Sequence, residues 1–492
     1  MAQESDPAST RPVPGAGRRP TSPLPPTVFV LFGGSGDLAR RMVLPAFFEL
    51  AQRGMLPEDW RLVGAGRRDV SDEDFRARVY ETLTEFGPSP EDGPWDEFSK
   101  RLRFAGGGFD KTDPGHLLEV LGQAREELGG DPQYVHYLAV PPSTFAPITE
   151  GLVQHGLAAR ARVVYEKPYG TTPESFRELD NLVLSLLDEE QVFRIDHFLG
   201  KEGTQDLHVL RFVNELFSQI WSREHVTRVE IDVPEELDVA DRAEFYDATG
   251  ASLDMLVTHL FQVAAEVAME PPASLTPTDL QAARESVLAS FRPLDPEQDV
   301  VLGQFEGYRD LDGVADDSTT DTFVAARLWV DTDRWRDVPF LLRTGKRMAR
   351  SAQRVSLWLR TPEGPVDVVP DHGNVVSLSL SGSGSLDISL VTKEPGPDLV
   401  LARAQTTLDL KHVPGGTPLP PYVSLLHDVL TGDRSLFTTS DGLASAWAAF
   451  APLQERPPRV QPYDPGSWGP TEAGALADPD GWLLGQTAPD DA

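Results

Sequence analysis

The first half of the chain alternates short, continuously apolar runs with longer stretches of helical periodicity. The apolar runs predict buried β-strands at residues 27–32, 61–66, 134–140 and 162–167. Helical patterns are found at residues 37–52, 72–85, 114–128 and 145–156. Strands that alternate with helices indicate α/β architecture, with a parallel, doubly wound sheet up to about residue 195.

The second half begins with long helical patterns, and most of its strand candidates come after them. The helical patterns are at residues 200–220, 250–269 and 275–292, and two more follow late in the chain at 421–431 and 440–453. The strand candidates are at residues 226–233, 323–330, 354–360, 375–380 and 386–391. This segregation predicts an α+β domain with a mainly antiparallel sheet.

The length of 492 residues is too great for one hydrophobic core and favours two domains. We expect a disordered tail at residues 1–25, a doubly wound domain at 26–198, a larger α+β domain at 199–470 and a loosely ordered tail at 471–492. Both tails are polar and rich in proline or glycine, and the first lacks the apolar core of a signal peptide.

Charge and composition narrow the classes of function. The formal net charge of −33 argues against nucleic acid and anionic membranes as partners. The sequence contains no run of 18 apolar residues, so we expect no membrane-spanning helix. The chain has no cysteine, which excludes disulfides, thiolate nucleophiles and cysteine metal ligands and fits a cytoplasmic location. A site for an anion would need a local concentration of Lys, Arg and His.

A glycine-rich segment follows the first predicted strand. Its sequence is GGSGDLA at residues 33–39, which contains the pattern G-x-G-x-x-G/A. Glycines in this position allow a tight turn and a close approach of the backbone to a pyrophosphate at a helix N-terminus. We therefore predict dinucleotide binding in a Rossmann-like domain; the alternative is an ordinary βα turn. The predicted cofactor ligands are Gly33, Gly34, Ser35, Gly36, Asp37 and Leu38.

Two arginines, Arg67 and Arg68, follow the second predicted strand. An NAD site would have an acidic residue near this position, whereas guanidinium groups suit the 2′-phosphate of NADP. The arginines therefore favour NADP, with NAD possible because Asp69 follows directly and could blunt the preference. Exposed arginines with no ligand are the alternative.

The run RIDHFLGKE at residues 194–202 combines a carboxylate, two basic groups and a glycine. Asp196 could orient a catalytic base, and His197 and Lys201 could hold a phosphate through charge-assisted hydrogen bonds. Apolar residues alternate with these charges, which indicates charged groups that point into a packed pocket. The run predicts a site for an anionic sugar phosphate.

Together these motifs resemble the glucose-6-phosphate dehydrogenase family, from about residue 28 to residue 470. The other segments that carry the resemblance are YLAVPPSTF (137–145), EKPYG (166–170), DRAEFYDATGASLDMLVTHLFQ (241–262), AMEPP (268–272), VLGQFEGY (301–308), TDTFVAARLWVDTDRWRDVPFLLRTGKR (320–347), GDRSLF (432–437) and YDPGSWGP (463–470). The resemblance implies oxidation of glucose 6-phosphate at C1 with NAD(P). It also implies a homodimer or homotetramer built through the sheet of the larger domain.

The resemblance assigns roles to individual residues. His259 would be the catalytic base and Asp196 its partner; no metal is implied. Pro141 and Lys167 would contact the cofactor, and Lys167 also the sugar. The implied substrate ligands are Lys167, His197, Lys201, Glu235, Asp254 and Lys346, with His197 and Lys201 on the phosphate and the two acids on sugar hydroxyls.

The chain departs from the family pattern near the implied site. Phe198 stands where most relatives have tyrosine, Met42 replaces a lysine, and Ser351 replaces a second basic residue beside Arg350. Val257 and Thr258 replace the usual Gln-Asn pair before the base. Two alternatives therefore stay open: a dehydrogenase of the same fold acting on another hexose phosphate, and a weakly active paralogue that serves as a non-catalytic partner.

Overall fold

The computed structural model describes residues 23–239, 242–363, 372–413 and 417–486. Within these ranges the chain forms a seven-stranded and a nine-stranded sheet, with helices packed on both. Most of the expected N-terminal tail, residues 1–22, lies outside the described residues.

The elements are numbered in chain order. The strands are β1 (Thr27–Phe32), β2 (Trp60–Ala65), β3 (Leu102–Ala105), β4 (Gln133–Leu138), β5 (Arg162–Tyr165), β6 (Val192–Ile195), β7 (Val226–Pro234), β8 (Val300–Phe305), β9 (Phe323–Leu328), β10 (Phe340–Gly345), β11 (Arg354–Leu359), β12 (Val375–Ser379), β13 (Ser385–Lys393), β14 (Leu401–Asp409), β15 (Phe437–Thr438) and β16 (Gln461–Tyr463). The α-helices are α1 (Leu44–Gln52), α2 (Asp72–Phe86), α3 (Asp92–Ser99), α4 (Leu117–Leu128), α5 (Phe145–Gln154), α6 (Pro173–Leu186), α7 (Glu202–Val213), α8 (Glu215–Ser218), α9 (Ala243–Asp247), α10 (Phe261–Ala268), α11 (Pro277–Leu288), α12 (Pro421–Thr431) and α13 (Ser440–Glu455). π-Helical segments cover Ala39–Val43 and Ser252–Leu260.

The first sheet confirms the predicted doubly wound architecture. Its strand order is β15-β6-β5-β4-β1-β2-β3, and all pairs are parallel except β15 with β6. Every residue of β1 is buried, because helices cover both faces of the sheet, and this explains the unbroken apolar run. The strand order reverses between β1 and β4, and the glycine-rich turn follows β1 at this switch point.

The second sheet confirms the predicted α+β domain. Its order is β14-β13-β12-β11-β7-β10-β9-β8-β16, and most of its pairs are antiparallel. The pairs of β7 with β10 and of β8 with β16 are parallel. The central strands are buried on the side that faces the second π-helical segment and α10, so one hydrophobic core spans sheet and helices.

The C-terminal segment corrects the prediction of a loosely ordered tail at residues 471–492. Residues Thr471–Ala477 form a 3₁₀ helix, and Trp482 is buried. Arg228 donates to the carbonyl oxygens of Ala477 and Gly481 at 2.9 and 2.7 Å. Because a buried guanidinium needs acceptors, these carbonyls fasten the segment to the sheet despite its polar sequence. Residues 487–492 lie outside the described residues.

None of the helices in the described ranges has both the length and the apolar character that a membrane-spanning helix requires.

Candidate active site

The centre of the site is a buried pair formed by Asp196 and His259. Asp196 comes directly after β6, and its Oδ1 accepts the Phe198 backbone N–H at 2.9 Å, which holds the chain in a turn. The same oxygen lies 2.7 Å from His259 Nδ1. The two residues are only 2% and 1% exposed. This contact places the Nδ1 proton between ring and carboxylate and leaves Nε2 as the acceptor nitrogen of a neutral imidazole.

Lys167, which follows β5, joins the pair from the opposite side. Its Nζ lies 3.0 Å from His259 Nε2 and 2.9 Å from Asp254 Oδ1, and it also donates to the Asp254 carbonyl oxygen at 2.8 Å. The ammonium group thus caps the nitrogen that would accept a proton. A sugar hydroxyl that reaches Nε2 must therefore lie beside Lys167 and Asp254.

The π-helical segment Ser252–Leu260 explains how Asp254 and His259 meet the same lysine. The sequence pattern predicts an ordinary helix, in which residues five apart lie more than one turn apart. In a π-helix the hydrogen bonds run from residue i to i+5, so both side chains lie on one face. The segment therefore differs from the ordinary helix expected at residues 250–269, and its wider turn places the Asp254 carboxylate and the His259 imidazole against the same lysine.

Burial dominates the ionisation of the pair. It lowers the pKa of His259 well below its usual value, and the neighbouring Lys167 charge adds to the effect. Burial raises the pKa of Asp196 to about 6, against an opposing effect of His197. Burial would also raise the pKa of Asp254, but the charge and the hydrogen bond of Lys167 and further nearby charges together outweigh it and lower that pKa. His259 is therefore neutral at pH 7, the state that a general base needs.

Lys201 and His197 form the second part of the site. The ammonium of Lys201 lies 3.9 Å from the centre of the Phe198 ring and donates to Oε1 of Gln353. The Phe198 ring in turn stacks on His259 at 4.8 Å, and the His197 ring meets His259 edge-on at 4.4 Å. These contacts place two basic side chains directly beside the buried pair.

Glu235 and Lys346 complete the group, and they form an ion pair of 2.7 Å. The charge of Glu235 acts on Lys201, and that of Lys346 acts on Asp254. The structure thus brings together all the substrate and catalytic residues that the sequence analysis named, from both domains: Lys167, Asp196, His197, Lys201, Glu235, Asp254, His259 and Lys346.

Asp196, His197 and His259 also present ligand atoms within 4.8 Å of one another, a grouping that could hold a metal ion. However, both ring nitrogens of His259 already have partners, Asp196 and the cationic Lys167. A cation at 3.0 Å from Nε2 opposes a second cation there, so the donor set fits proton transfer better than metal binding.

The glycine-rich turn lies at the switch point of the first sheet and fits a pyrophosphate. Gly33 has a φ of +77°, and a Cβ on it would stand 2.2 Å from the Ala139 carbonyl oxygen. Only glycine is compatible with this approach between the ends of β1 and β4. The Gly36 amide donates to the Gly33 carbonyl at 2.7 Å and closes the turn.

Three further cofactor candidates follow the two strands that flank β1. Arg67 and Arg68 are both exposed after β2. Asp69 is turned to His116, with its Oδ1 3.3 Å from Nδ1, and not to the arginines. Pro141 follows β4 and precedes a short 3₁₀ turn. All three residues therefore flank the edge of the sheet that carries the glycine-rich turn.

Family models match both parts of the chain. The model described as "Glucose-6-phosphate dehydrogenase, NAD binding domain" matches residues 30–206. The model described as "Glucose-6-phosphate dehydrogenase, C-terminal domain" matches residues 208–483. The chain belongs to the glucose-6-phosphate dehydrogenase family. As a member it is an oxidoreductase with a nicotinamide dinucleotide cofactor.

Named relatives and solved structures agree with this family. The chain is 37% identical over 470 residues to glucose-6-phosphate 1-dehydrogenase 2 of Mycobacterium tuberculosis, covering 90% of this chain and 91% of that protein. A crystal structure of glucose-6-phosphate 1-dehydrogenase from Mycobacterium avium has a TM-score of 0.85 at 34% identity, covering 94% and 100% of the two chains. A glucose-6-phosphate dehydrogenase solved with glucose 6-phosphate has a TM-score of 0.87 at 28% identity, covering 94% and 99%.

The structure shows the surroundings of four of the residues that depart from the family pattern. Phe198 is buried between His259 and Lys201, as described above. Met42 is 38% exposed and lines a cavity of about 600 Å³ together with Arg41, His197 and Tyr422. Ser351 is exposed and accepts the Glu236 backbone N–H at 2.9 Å. Thr258 donates to the Asp254 carbonyl at 2.6 Å, so it supports the π-helical turn.

Sequence reasoning missed two residues that contact site residues. Gln353, immediately before β11, accepts a hydrogen bond from Lys201, and no local sequence pattern marks it. Glu166 is buried beside Lys167; its Oε1 accepts a hydrogen bond from the Tyr137 hydroxyl, and the Tyr422 hydroxyl also interacts with the carboxylate. Its place in EKPYG was visible in the sequence, but its tyrosine partners come from β4 and α12 and could not be identified without the fold.

Proposed function

We propose that this protein oxidises glucose 6-phosphate at C1 to 6-phosphogluconolactone with NADP, the first step of the oxidative pentose phosphate pathway. The main support for this proposal is the buried Asp196–His259 pair. Lys167 lies beside Nε2 of His259 and also binds Asp254. A neutral imidazole beside a cation and a hydroxyl acceptor suits the oxidation of an alcohol.

In this proposal His259 Nε2 takes the proton of the C1 hydroxyl while the C1–H bond breaks and the C1=O bond forms. Asp196 stabilises the imidazolium that results, and its bond to Nδ1 keeps the ring in the required tautomer. Lys167 can donate a hydrogen bond to the C1 oxygen. The carboxylates of Asp254 and Glu235 can accept hydrogen bonds from sugar hydroxyls. The bound nicotinamide would accept the C1 hydrogen as hydride.

The test is an absorbance assay of the purified protein with glucose 6-phosphate and either NADP or NAD, read at the band of the reduced nicotinamide. Reduction with glucose 6-phosphate above that with other hexose phosphates supports the proposal. A preference for another hexose phosphate would favour the second candidate, which the Phe198 and Ser351 departures motivate. The absence of turnover with every sugar phosphate tried would favour the non-catalytic paralogue.

The preference for NADP is tested by replacing Arg67 and Arg68 together with alanine. We expect kcat/KM with NADP to fall far more than with NAD, because only NADP offers the guanidinium groups a 2′-phosphate. Arg78→Ala, which removes an exposed arginine from the following helix, is the control. An unchanged ratio of the two kcat/KM values would contradict the assignment.

Lys201 is the proposed phosphate ligand, and Lys201→Ala should chiefly raise KM for glucose 6-phosphate. Loss of a hydrogen bond to a charged group costs about 1.5–3 kcal/mol, which corresponds to a rise in KM of about 10- to 150-fold. Steady-state kinetics with free glucose are the control, because glucose has no phosphate to lose. An equal rise in KM for glucose and for glucose 6-phosphate would show that Lys201 does not bind the phosphate.

The charge of Lys201 should also appear in the pH profile. Burial lowers its pKa from 10.5 to about 8. The ammonium is therefore present below pH 8 and is lost as the pH rises above it, so kcat/KM for glucose 6-phosphate should fall on that side. Arginine stays charged throughout, so Lys201→Arg should remove this alkaline decline. A decline of the same size in the variant would assign it to another group.

We also propose a homodimer or homotetramer that forms through the sheet of the larger domain. Supporting this, β14 is an edge strand, and Leu390, Leu399, Val400 and Leu408 on and beside β13 and β14 are each at least 45% exposed. Apolar side chains clustered at a sheet edge favour association. Light scattering of Leu408→Glu against the parent protein would test this surface.

We make two further proposals, on the domain boundary and on the cellular location. We place the domain boundary near residue 198, between the end of β6 at Ile195 and the end of the RIDHFLGKE run at Glu202. The matches to the family models change over slightly later, between residues 206 and 208. We also propose a cytoplasmic location. In support, a relative from Arabidopsis thaliana, 33% identical over 473 residues, is named as a cytoplasmic glucose-6-phosphate 1-dehydrogenase.

A further inference from the structure

Gln353 lies immediately before β11 and reaches into the site with a neutral amide. Its Oε1 accepts a hydrogen bond from Lys201 Nζ. An ammonium group can only donate, so the amide oxygen must face it and the NH₂ group must point elsewhere from the same carbon. Within the described part of the chain, that NH₂ group donates to no carbonyl, carboxylate or hydroxyl. The side chain therefore offers two spare N–H donors next to Lys201.

The neighbours of Gln353 have other partners. Ser351 is bonded to the Glu236 backbone, and Arg354 forms an ion pair of 2.6 Å with Asp387. Of the polar side chains at positions 351, 353 and 354, Gln353 is the one that reaches Lys201. It is half-buried, so its amide is held near the ammonium and is still open to a ligand.

The contact also preserves the charge of the site. Among the residues that the structure describes, Lys201 makes no ion pair; it lies between the Phe198 ring and the Gln353 amide. Asp196 and Glu235 act on it only at longer range. A carboxylate in place of the amide would neutralise the ammonium, whereas glutamine orients it and leaves its charge for an anion.

We propose that Gln353 is a further substrate-binding residue, which donates its side-chain N–H to the phosphate of the sugar next to Lys201. The proposal rests on the proposed function, since that function places the phosphate at Lys201. It adds a neutral donor to the site and makes glutamine at this position a determinant of specificity for a phosphorylated sugar over a neutral one.

The experiment compares Gln353→Ala and Gln353→Glu with the parent protein. We expect Gln353→Ala to raise KM for glucose 6-phosphate about three- to tenfold, with little change in kcat, because the contact is the same in ground and transition states. Gln353→Glu should raise KM more than Gln353→Ala, because the carboxylate pairs with Lys201 and repels the phosphate. Kinetics with free glucose should not move, and Ser351→Ala, two residues earlier, should behave as the parent.

Stabilisation of each protein by inorganic phosphate, read as the shift in Tm, separates this inference from the proposed function. An inactive parent whose Tm shift depends on Gln353 would refute the proposed function and leave the phosphate contact standing. If both substitutions left KM and the phosphate-induced Tm shift unchanged, the inference would be overturned. It would also be overturned if Gln353→Glu matched the parent, since Gln353 would then only hold Lys201 in place.

Discussion

Replacement of His259 by alanine should lower kcat by about 10²–10⁴-fold, the usual contribution of a general base. The imidazole is the group whose Nε2 faces the proposed substrate position, between Lys167 and Asp254. Burial and the Lys167 charge keep its pKa low, so the parent enzyme holds it neutral and ready to accept a proton. The variant loses this acceptor, and no other imidazole occupies the same position: His197 meets the ring edge-on.

Steady-state kinetics with glucose 6-phosphate measure this effect, and thermal unfolding shows whether the variant is folded. His155→Ala is the matched control: His155 is half-buried at the end of α5, and its Nε2 lies 2.9 Å from the carbonyl oxygen of Asp110, which is not a residue of the site. It should turn over as the parent does. Activity of His259→Ala within threefold of the parent would remove His259 from the role of base.

Asp196→Asn should lower kcat by about 10²–10³-fold while KM changes little. Both hydrogen bonds to this carboxylate, from His259 Nδ1 and from the Phe198 amide, end on Oδ1. An asparagine oxygen could keep both bonds, and with them the tautomer. What the variant must lose is the negative charge that stabilises the imidazolium as it forms in a buried site.

The other carboxylate oxygen makes a second measurement possible. Oδ2 of Asp196 is buried without a hydrogen-bond partner in the described structure. In Asp196→Asn an NH₂ group would occupy that position, and burying an unpaired donor costs about 1–3 kcal/mol. The variant should therefore unfold at a lower temperature than the parent. Retention of full turnover would mean that His259 needs only the bond to Oδ1 and not the charge.

The electrostatics of the site oppose those of the whole molecule. The chain carries a formal charge of −33, yet Lys167, Lys201, Lys346 and His197 all lie around the Asp196–His259 pair or the acids beside it. At physiological ionic strength exposed charges are screened over about 8 Å. The binding of an anion in the site therefore depends on the nearby basic side chains and not on the distant acidic surface. The acidic surface and the proposed phosphate site are therefore compatible.

Much of the architecture follows from local pattern. The strand TVFVLF and the glycine-rich turn after it were predictable, because a doubly covered strand needs an unbroken apolar run and the tight turn needs glycine at Gly33. Strands such as β8 and β10 were missed, since glycine, glutamine and arginine interrupt their apolar pattern. In the fold these polar groups have partners: Arg343 in β10 pairs with Asp232 in the adjacent β7.

The sequence by itself predicted the doubly wound and α+β architectures and the glycine-rich turn, because periodicity and motif spacing are properties of short segments; the resemblance to the family added the proposed residues of the site. Only the tertiary structure decided how those residues meet. Asp196 and His259 are 63 positions apart, the π-helical turn aligns Asp254 with His259, and Gln353 approaches Lys201 from 152 positions away. The packing of the final segment onto Arg228 is of the same kind. Contacts between distant segments depend on how sheets and helices pack, and no local pattern encodes that geometry.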